Sequence, residues 1–193
     1  MVQITSEFPT RIETERLVLR GYQPGDVSMY YQISLKNQPH LQPFESGNAI
    51  NSIHSEAEAE RVIRDFMECW AARKSFFLGA FLRDTDEFAA QIYVGVVNRT
   101  LPEFEIGYIA DVEHEGKGYV TEAVRGVLRT LFTQLGAHRV RLECDETNLR
   151  SLRVAERCGF VREGLIRETK RHADGSYTGD VHYGLLRSEY LRL

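Results

Sequence analysis

The longest run of regularly spaced apolar positions falls at Val120, Ala123, Val124, Val127, Leu128, Leu131, Phe132 and Leu135. That spacing predicts a helix with one buried face. The segment before it, Glu105 to Val112, reads as a strand, and Glu115-Gly116-Lys117-Gly118-Tyr119 forms a glycine-bearing turn between the two. The stretch therefore spells strand, tight loop, helix. Such a loop aims unpaired backbone N–H groups and the positive end of a helix dipole at one spot, which suits a phosphate.

The pattern extends to both sides. Met1 to Thr14 reads as an extended lead-in, and Arg16 to Arg20 alternates as the first strand. Pro24-Gly25-Asp26 breaks it and opens a helix from about Val27 to Leu35. Asn37 to His54, with Pro39, Pro43, Gly47 and Asn51, reads as a loop. Ser55 to Glu58 is a capping box, and the helix it starts carries Val62, Ile63, Phe66 and Trp70 on one face. Phe76 to Leu82 and Ala90 to Asn98 are expected to pair across the polar run Arg83 to Glu87. After the long helix, Arg139 to Cys144 alternates as a strand, and Asp145 to Asn148 turns into a short helix with Leu149, Leu152, Ala155 and Cys158 on one face. Gly159 is placed to end that helix in a left-handed conformation, with Phe160 just beyond. Val161 to Lys170, the turn at Asp174-Gly175 and Val181 to Leu186 form an antiparallel pair, across which His172 and His182 face each other.

Composition narrows the choices. The 193 residues are expected to fold as one domain, 1–193, and 42% apolar with 27% charged residues is ordinary for a globular chain. A net charge of −4 argues against nucleic acid as a partner and mildly favours a cationic one. Cys69, Cys144 and Cys158 have no paired spacing and read as reduced thiols in a cytoplasmic protein. No signal peptide opens the sequence and no apolar run approaches membrane length, so no membrane partner is expected. His114 lacks a second histidine at ligand spacing, and no metal is expected. Oligomeric state is not legible; a homodimer is compatible with the sequence.

The loop lacks both Gly-x-Gly-x-x-Gly and Gly-Lys-Ser/Thr, which disfavours a Rossmann or P-loop assignment. It resembles the acetyl-CoA loop of the GNAT superfamily of N-acetyltransferases, Gln/Arg-x-x-Gly-x-Gly/Ala. The window Glu115 to Val120 keeps the central Gly118 and departs at both ends, with Glu115 for Gln/Arg and Val120 for Gly/Ala. The departure removes a basic side chain but leaves the backbone amides. Tyr119-Val120-Thr121-Glu122-Ala123 is similar to the RimJ/RimL branch. So are Glu15 to Arg20 followed by Asp26, Asn148-x-x-Ser151 through Glu156 to Phe160, and the closing Asp180 to Tyr190. Four motifs in order carry the resemblance over nearly the whole chain.

The resemblance implies an α+β, three-layer GNAT fold: a mixed, mostly antiparallel seven-stranded sheet with helices on both faces. It implies acetyl transfer from acetyl-CoA to a primary amine, by direct attack through a tetrahedral intermediate. The diphosphate would meet amides of Glu115, Gly116, Lys117, Gly118, Tyr119 and Val120. The pantetheine arm would lie along Ile109, Ala110, Asp111 and Val112, with an N–H near Ile109 or Ala110 facing the oxyanion. Asn148 either holds the pantetheine or is a plain N-cap. Tyr119 either covers the cosubstrate or packs. Glu105 is the candidate base or an exposed strand residue, and Ser151 the candidate proton donor to the leaving thiolate or a first-turn cap. Glu143, Asp145 and Glu163 have no positional argument. Phe44 lies on the acceptor side or plugs a loop. The acceptor is expected to be a protein N-terminal amine, ribosomal by resemblance. A small-molecule amine acetyltransferase, acting on a polyamine, antibiotic or amino sugar, and a non-catalytic CoA-binding module are the alternatives.

Overall fold

The computed structural model describes residues 7–44, 48–172 and 174–193, so the first six residues and part of the expected 37–54 loop lie outside the described residues. A single sheet runs β1 (Arg11–Glu13), β2 (Leu17–Gly21), β3 (Ser75–Leu82), β4 (Phe88–Asn98), β5 (Glu103–Ala110), β6 (Arg139–Asp145), β8 (Tyr177–Leu186) and β7 (Val161–Arg171) in spatial order. Every neighbouring pair is antiparallel except β5 with β6. The mixed sheet with helices on both faces is as expected, but it has eight strands rather than seven. The additional strand is β1, whose three residues pair Arg11–Arg20, Ile12–Leu19 and Glu13–Val18. Only Ile12 among them is buried, which is too short an alternation to stand out from an extended lead-in.

The two faces of the sheet carry separate apolar clusters. On one, Phe104 and Ile106 of β5 meet Ala123, Val124, Val127, Leu128 and Leu131 of α3 (Tyr119–Thr133). Ala155 and Cys158, in and just after α4 (Leu149–Arg157), join the same cluster. On the other, Ile109 lies with Tyr30 and Ile33 of α1 (Val27–Leu41) and with Ile63 and Phe66 of α2 (Glu56–Ala71). Alternation along β5 feeds both layers, as a strand buried on two faces requires. A short α5 (Arg187–Tyr190) stacks Tyr190 on Phe132 at 4.6 Å between ring centroids.

Two expectations are corrected. The first helix does not stop at Leu35; it continues through Pro39 to Leu41. Proline there forfeits one bond to the carbonyl of Leu35, a residue on the exposed side. The last turn is held instead by side chains: Asn37 Nδ2 donates to the Ile33 carbonyl, and Gln38 Nε2 donates to the carbonyls of Ile50 and Ile53. The extra turn brings His40 and Leu41 to the functional site. The second correction concerns the terminal hairpin, where register shifts in β7 set His182 opposite Gly164, while His172 bonds Thr178. Among the described residues no helix is long and apolar enough to cross a membrane.

Candidate active site

The site begins where β5 and β6 part. Their parallel pairing covers Glu103–Arg139, Phe104–Val140 and Glu105–Arg141 and then stops. At this closed end Arg139 reaches Glu103 at 3.1 Å, and Arg141 donates from Nε and Nη2 to one oxygen of Glu105 at 3.0 and 2.7 Å. Beyond it β5 continues alone along that edge. Asp111 N–H donates to the Ala89 carbonyl on the β4 side at 3.0 Å. Bonded and non-bonded pairs alternate along an antiparallel ladder, so Ile109 also turns its amide to β4, whereas Tyr108 and Ala110 turn theirs to the open side. A length of unpaired strand edge is thereby left facing a cavity of about 920 Å³.

The N-terminus of α3 closes one end of this cavity. Gly118 is the N-cap, at φ 81°, a left-handed conformation for which glycine is suited, and it has no side chain to cap the helix. The first intrahelical bond joins Glu122 N–H to the Gly118 carbonyl, so Tyr119, Val120 and Thr121 point uncommitted amides at the cavity they line. The loop is braced from behind. Arg16 Nη1 donates to the Lys117 carbonyl, its guanidinium lies over the Tyr119 ring at 4.6 Å, and its Nε donates to Glu122. Glu122 also accepts from Thr14 Oγ1 and Arg16 N–H. Partial burial works against its charged form, but these bonds outweigh it and hold the carboxyl below the usual range. Ahead of the loop, buried Asp111 accepts from Lys36, Asn37 and the Glu113 N–H. Asn37 Oδ1 in turn accepts from Val112 N–H at 2.8 Å.

The opposite wall is α4. Asn148 is its N-cap, accepting from Ser151 N–H at 3.1 Å, and Gly159 ends it at φ 88° with Phe160 N–H reaching back to the Ala155 carbonyl. The Ser151 hydroxyl is not spent on capping. Its Oγ lies 3.3 Å from Tyr108 Oη, to which it donates, and 3.0 Å from Cys144 Sγ, while Tyr108 Oη donates to the Ser151 carbonyl at 2.9 Å. Burial pushes the Tyr108 phenol far above its ordinary pKa, with Cys144 adding to the shift, so it remains protonated. Cys158, buried behind α4, is pushed up to about 11 by burial and is inert as a nucleophile at neutral pH.

Of the residues singled out from sequence, Ile109, Ala110, Glu115, Gly116, Gly118, Tyr119, Val120, Asn148 and Ser151 line one cavity, with Phe44 at its edge. Asp111, Val112, Lys117 and Glu105 do not border it. The amides of Asp111 and Val112 are already engaged, by Ala89 and Asn37. Glu105 sits at the closed seam on Arg141, apart from Ser151. Tyr108, His40 and the arginines Arg150, Arg153 and Arg157 of the cavity wall escaped sequence reasoning. Tyr108 is the neighbour of a predicted contact, and strand alternation alone puts it on the face toward α4. His40 escaped because Pro39 hid the end of its helix. It bonds Glu115 at 2.6 Å, and Glu115 also pairs with Arg150 across the cavity.

An open strand edge beside orphan helix amides fits a long ligand with an anionic head and an amide-bearing arm. The family model of the acetyltransferase (GNAT) domain matches residues 16–161. The chain belongs to the GNAT family of acetyltransferases. It is 27% identical to spermidine N(1)-acetyltransferase of Vibrio cholerae over 187 residues, covering 91% of this chain and 96% of that one. It is 24% identical to ribosomal-protein-serine acetyltransferase of Escherichia coli over 157 residues, covering 81% and 86%. A solved RimL, a ribosomal L7/L12 α-N-protein acetyltransferase in complex with coenzyme A, superposes with a TM-score of 0.83 at 20% identity over 91% of this chain and 97% of that one. The GNAT fold and acetyl transfer to an amine are thus established for this chain, and these relatives act on different kinds of amine.

Proposed function

We propose that this GNAT enzyme acetylates the N-terminal α-amine of a protein, with acetyl-CoA as donor. The observation that carries this reading is the charge of the cavity wall. Among the described residues Glu115 is the one carboxylate lining it, and that carboxylate is paired with His40 and Arg150, while Arg153 and Arg157 add positive charge. A polyamine needs uncommitted carboxylates to replace its water, and among the described residues the wall of this cavity offers none. A peptide N-terminus brings a single charge that it must shed before attack. With a reference pKa near 7.7–8.0, shedding it costs only about 1 kcal/mol at pH 7, against roughly 4.6 kcal/mol for a lysine.

In this reading the amides of Tyr119, Val120 and Thr121 hold the diphosphate, and the open edge at Tyr108 and Ala110 receives the pantetheine amides. The Ala110 N–H faces the developing oxyanion. Asn148 and Ser151 border the pantetheine arm. Tyr108, kept protonated, passes its proton to the departing thiolate and is resupplied through Ser151. Glu105 serves the β5–β6 seam, and water takes the proton from the amine.

Thiol release from acetyl-CoA, measured with a free peptide, the same peptide N-terminally blocked, and spermidine, tests the acceptor. Turnover is expected with the free peptide and at least about tenfold less with the other two. Spermidine matching or exceeding the free peptide defeats the proposal.

A further inference from the structure

The two edges of the sheet are protected unequally. β1 is three residues long, and Arg129 of α3 reaches over it to bond the Glu13 carbonyl. β7 is eleven residues long, and every residue of it except Lys170 is exposed. An edge strand offers a row of unpaired backbone groups to another chain. Along this one Val161, Leu165 and Ile166 are 51%, 38% and 53% exposed, whereas no other element among the described residues exposes more than one large apolar side chain. Leu165 and Ile166 point to opposite faces of the strand, so a helix laid on one face would leave the other bare.

Bulges interrupt β7 between Arg162 and Gly164 and between Ile166 and Lys170, where Glu168 takes φ 56°. Only Gly164-Leu165-Ile166 is regular between them. Bulges end continuous pairing along an edge, so the segment they leave open suits one closed partner rather than a growing sheet. The flanking charges specify that partner. Two antiparallel β7 strands with a two-fold axis at Leu165 set Leu165 against its own copy and Ile166 over Gly164, where a Cβ would meet nothing within 4 Å. They also set Arg162 opposite Glu168 and Glu163 opposite Arg167. Moving the axis by half a residue brings Arg162 against Arg167 in one direction and Glu163 against Glu168 in the other. Like charges directly opposite are destabilising, which selects the first register. Arg162, Arg167 and Glu168 form no ion pair among the described residues, while Glu163 is held by Arg139.

We propose that β7 docks a second copy of this chain, edge to edge and antiparallel, with the two-fold axis at Leu165 and paired contacts between Arg162 and Glu168 on either side. An isologous interface must be complementary to itself, and this strand is so in both charge and shape. Two bulged strands bury less than the roughly 1,200 Å² below which associations are weak, so the dimer forms in the micromolar range. None of Arg162, Leu165 and Glu168 borders the cavity, so the site of each copy stays open.

Sedimentation equilibrium from about 1 to 300 µM tests it, on the native chain, on Arg162→Glu, Glu168→Arg and Leu165→Lys, and on an equimolar mixture of the two charge variants. The native chain is expected to pass from monomer to dimer over this range and to go no further. Each charge variant alone sets like charges opposite one another at both symmetric contacts, and is expected to dimerise at least about tenfold more weakly. In the mixture both contacts again join opposite charges, and affinity within about threefold of native is expected, an outcome that no misfolded variant can produce. Leu165→Lys puts two like charges on the axis and is expected to stay monomeric. A native chain that remains monomeric throughout overturns the proposal. So does a dimer that withstands the variants, which places the interface elsewhere. Charge variants that weaken the dimer without recovery in the mixture overturn the register, and assembly beyond the dimer overturns the closed two-fold pairing.

Discussion

The two ends of the β5–β6 seam differ in chemistry along the same pair of strands. At one end the facing residues are charged, and Glu103–Arg139 and Glu105–Arg141 close across a regular parallel ladder. A few residues on, the facing groups are Tyr108 and Cys144, the ladder is gone, and a helix hydroxyl, Ser151, stands between them. Backbone groups left unpaired in a protein interior are costly unless something satisfies them. The open end is therefore where a ligand with its own amides has most to gain, and the closed end is what keeps the opening local. The candidate site lies where the sheet fails to pair, and the ion pairs mark where that failure stops.

The comparison is broken most severely at the helix that caps the open end. Gly118→Val places a β-branched residue at φ 81°, a left-handed conformation costing an ordinary residue about 1–2 kcal/mol. A Cβ at this position meets Arg16 at 3.6 Å, ordinary contact, so the strain comes from the backbone and turns the amides away. Losing two charge-assisted bonds, at about 1.5 kcal/mol each, weakens coenzyme A binding about a hundredfold. Calorimetry reads this directly, and retained tight binding would remove the α3 amides from the site. A smaller loss follows from Tyr108→Phe, which keeps the ring and deletes the proton. We expect kcat to drop about thirtyfold with coenzyme A affinity within about threefold; a change in affinity with unaltered kcat would place Tyr108 in binding only.

Much of this arrangement is legible in the sequence because local and global signals agree. The apolar periodicity from Val120 to Leu135 and the turn at Gly116 to Gly118 mark α3 and its loop, and Gly159-Phe160 marks the end of α4. What stays hidden depends on long-range pairing. Nothing in the Glu105 to Ala110 segment says that its edge is covered at one end and bare at the other, because that is decided by β6, some thirty residues away in sequence. Pro39 carries a helix-breaking signal that side chains of Asn37 and Gln38 override. Arg11 to Glu13 becomes a strand only because Val18 to Arg20 offers an edge. Tyr108 was concealed because it stands just before Ile109, where the strand's backbone rather than its side chains carried the expectation.

The smallest expected effect lies at the closed end and sharpens the contrast most. Glu105→Gln removes the charge facing Arg141 but keeps a similar shape and a hydrogen-bond acceptor. Both partners are about a third exposed, so solvent screens the pair and the stability loss is about 0.5 kcal/mol. If Glu105 only fastens the seam, kcat for a peptide α-amine stays within about threefold across pH 6 to 9, and its pH profile follows the amine of the acceptor. If Glu105 takes the proton of the amine, kcat falls by about a hundredfold or more, and the loss is steepest at low pH, where the acceptor is most protonated. Thermal unfolding alongside pH-resolved turnover separates the two: a small shift in Tm with an unchanged profile leaves proton transfer to the open end and to water, whereas an unchanged Tm with a collapsed acid limb would carry the chemistry across the seam to the end that looks merely structural.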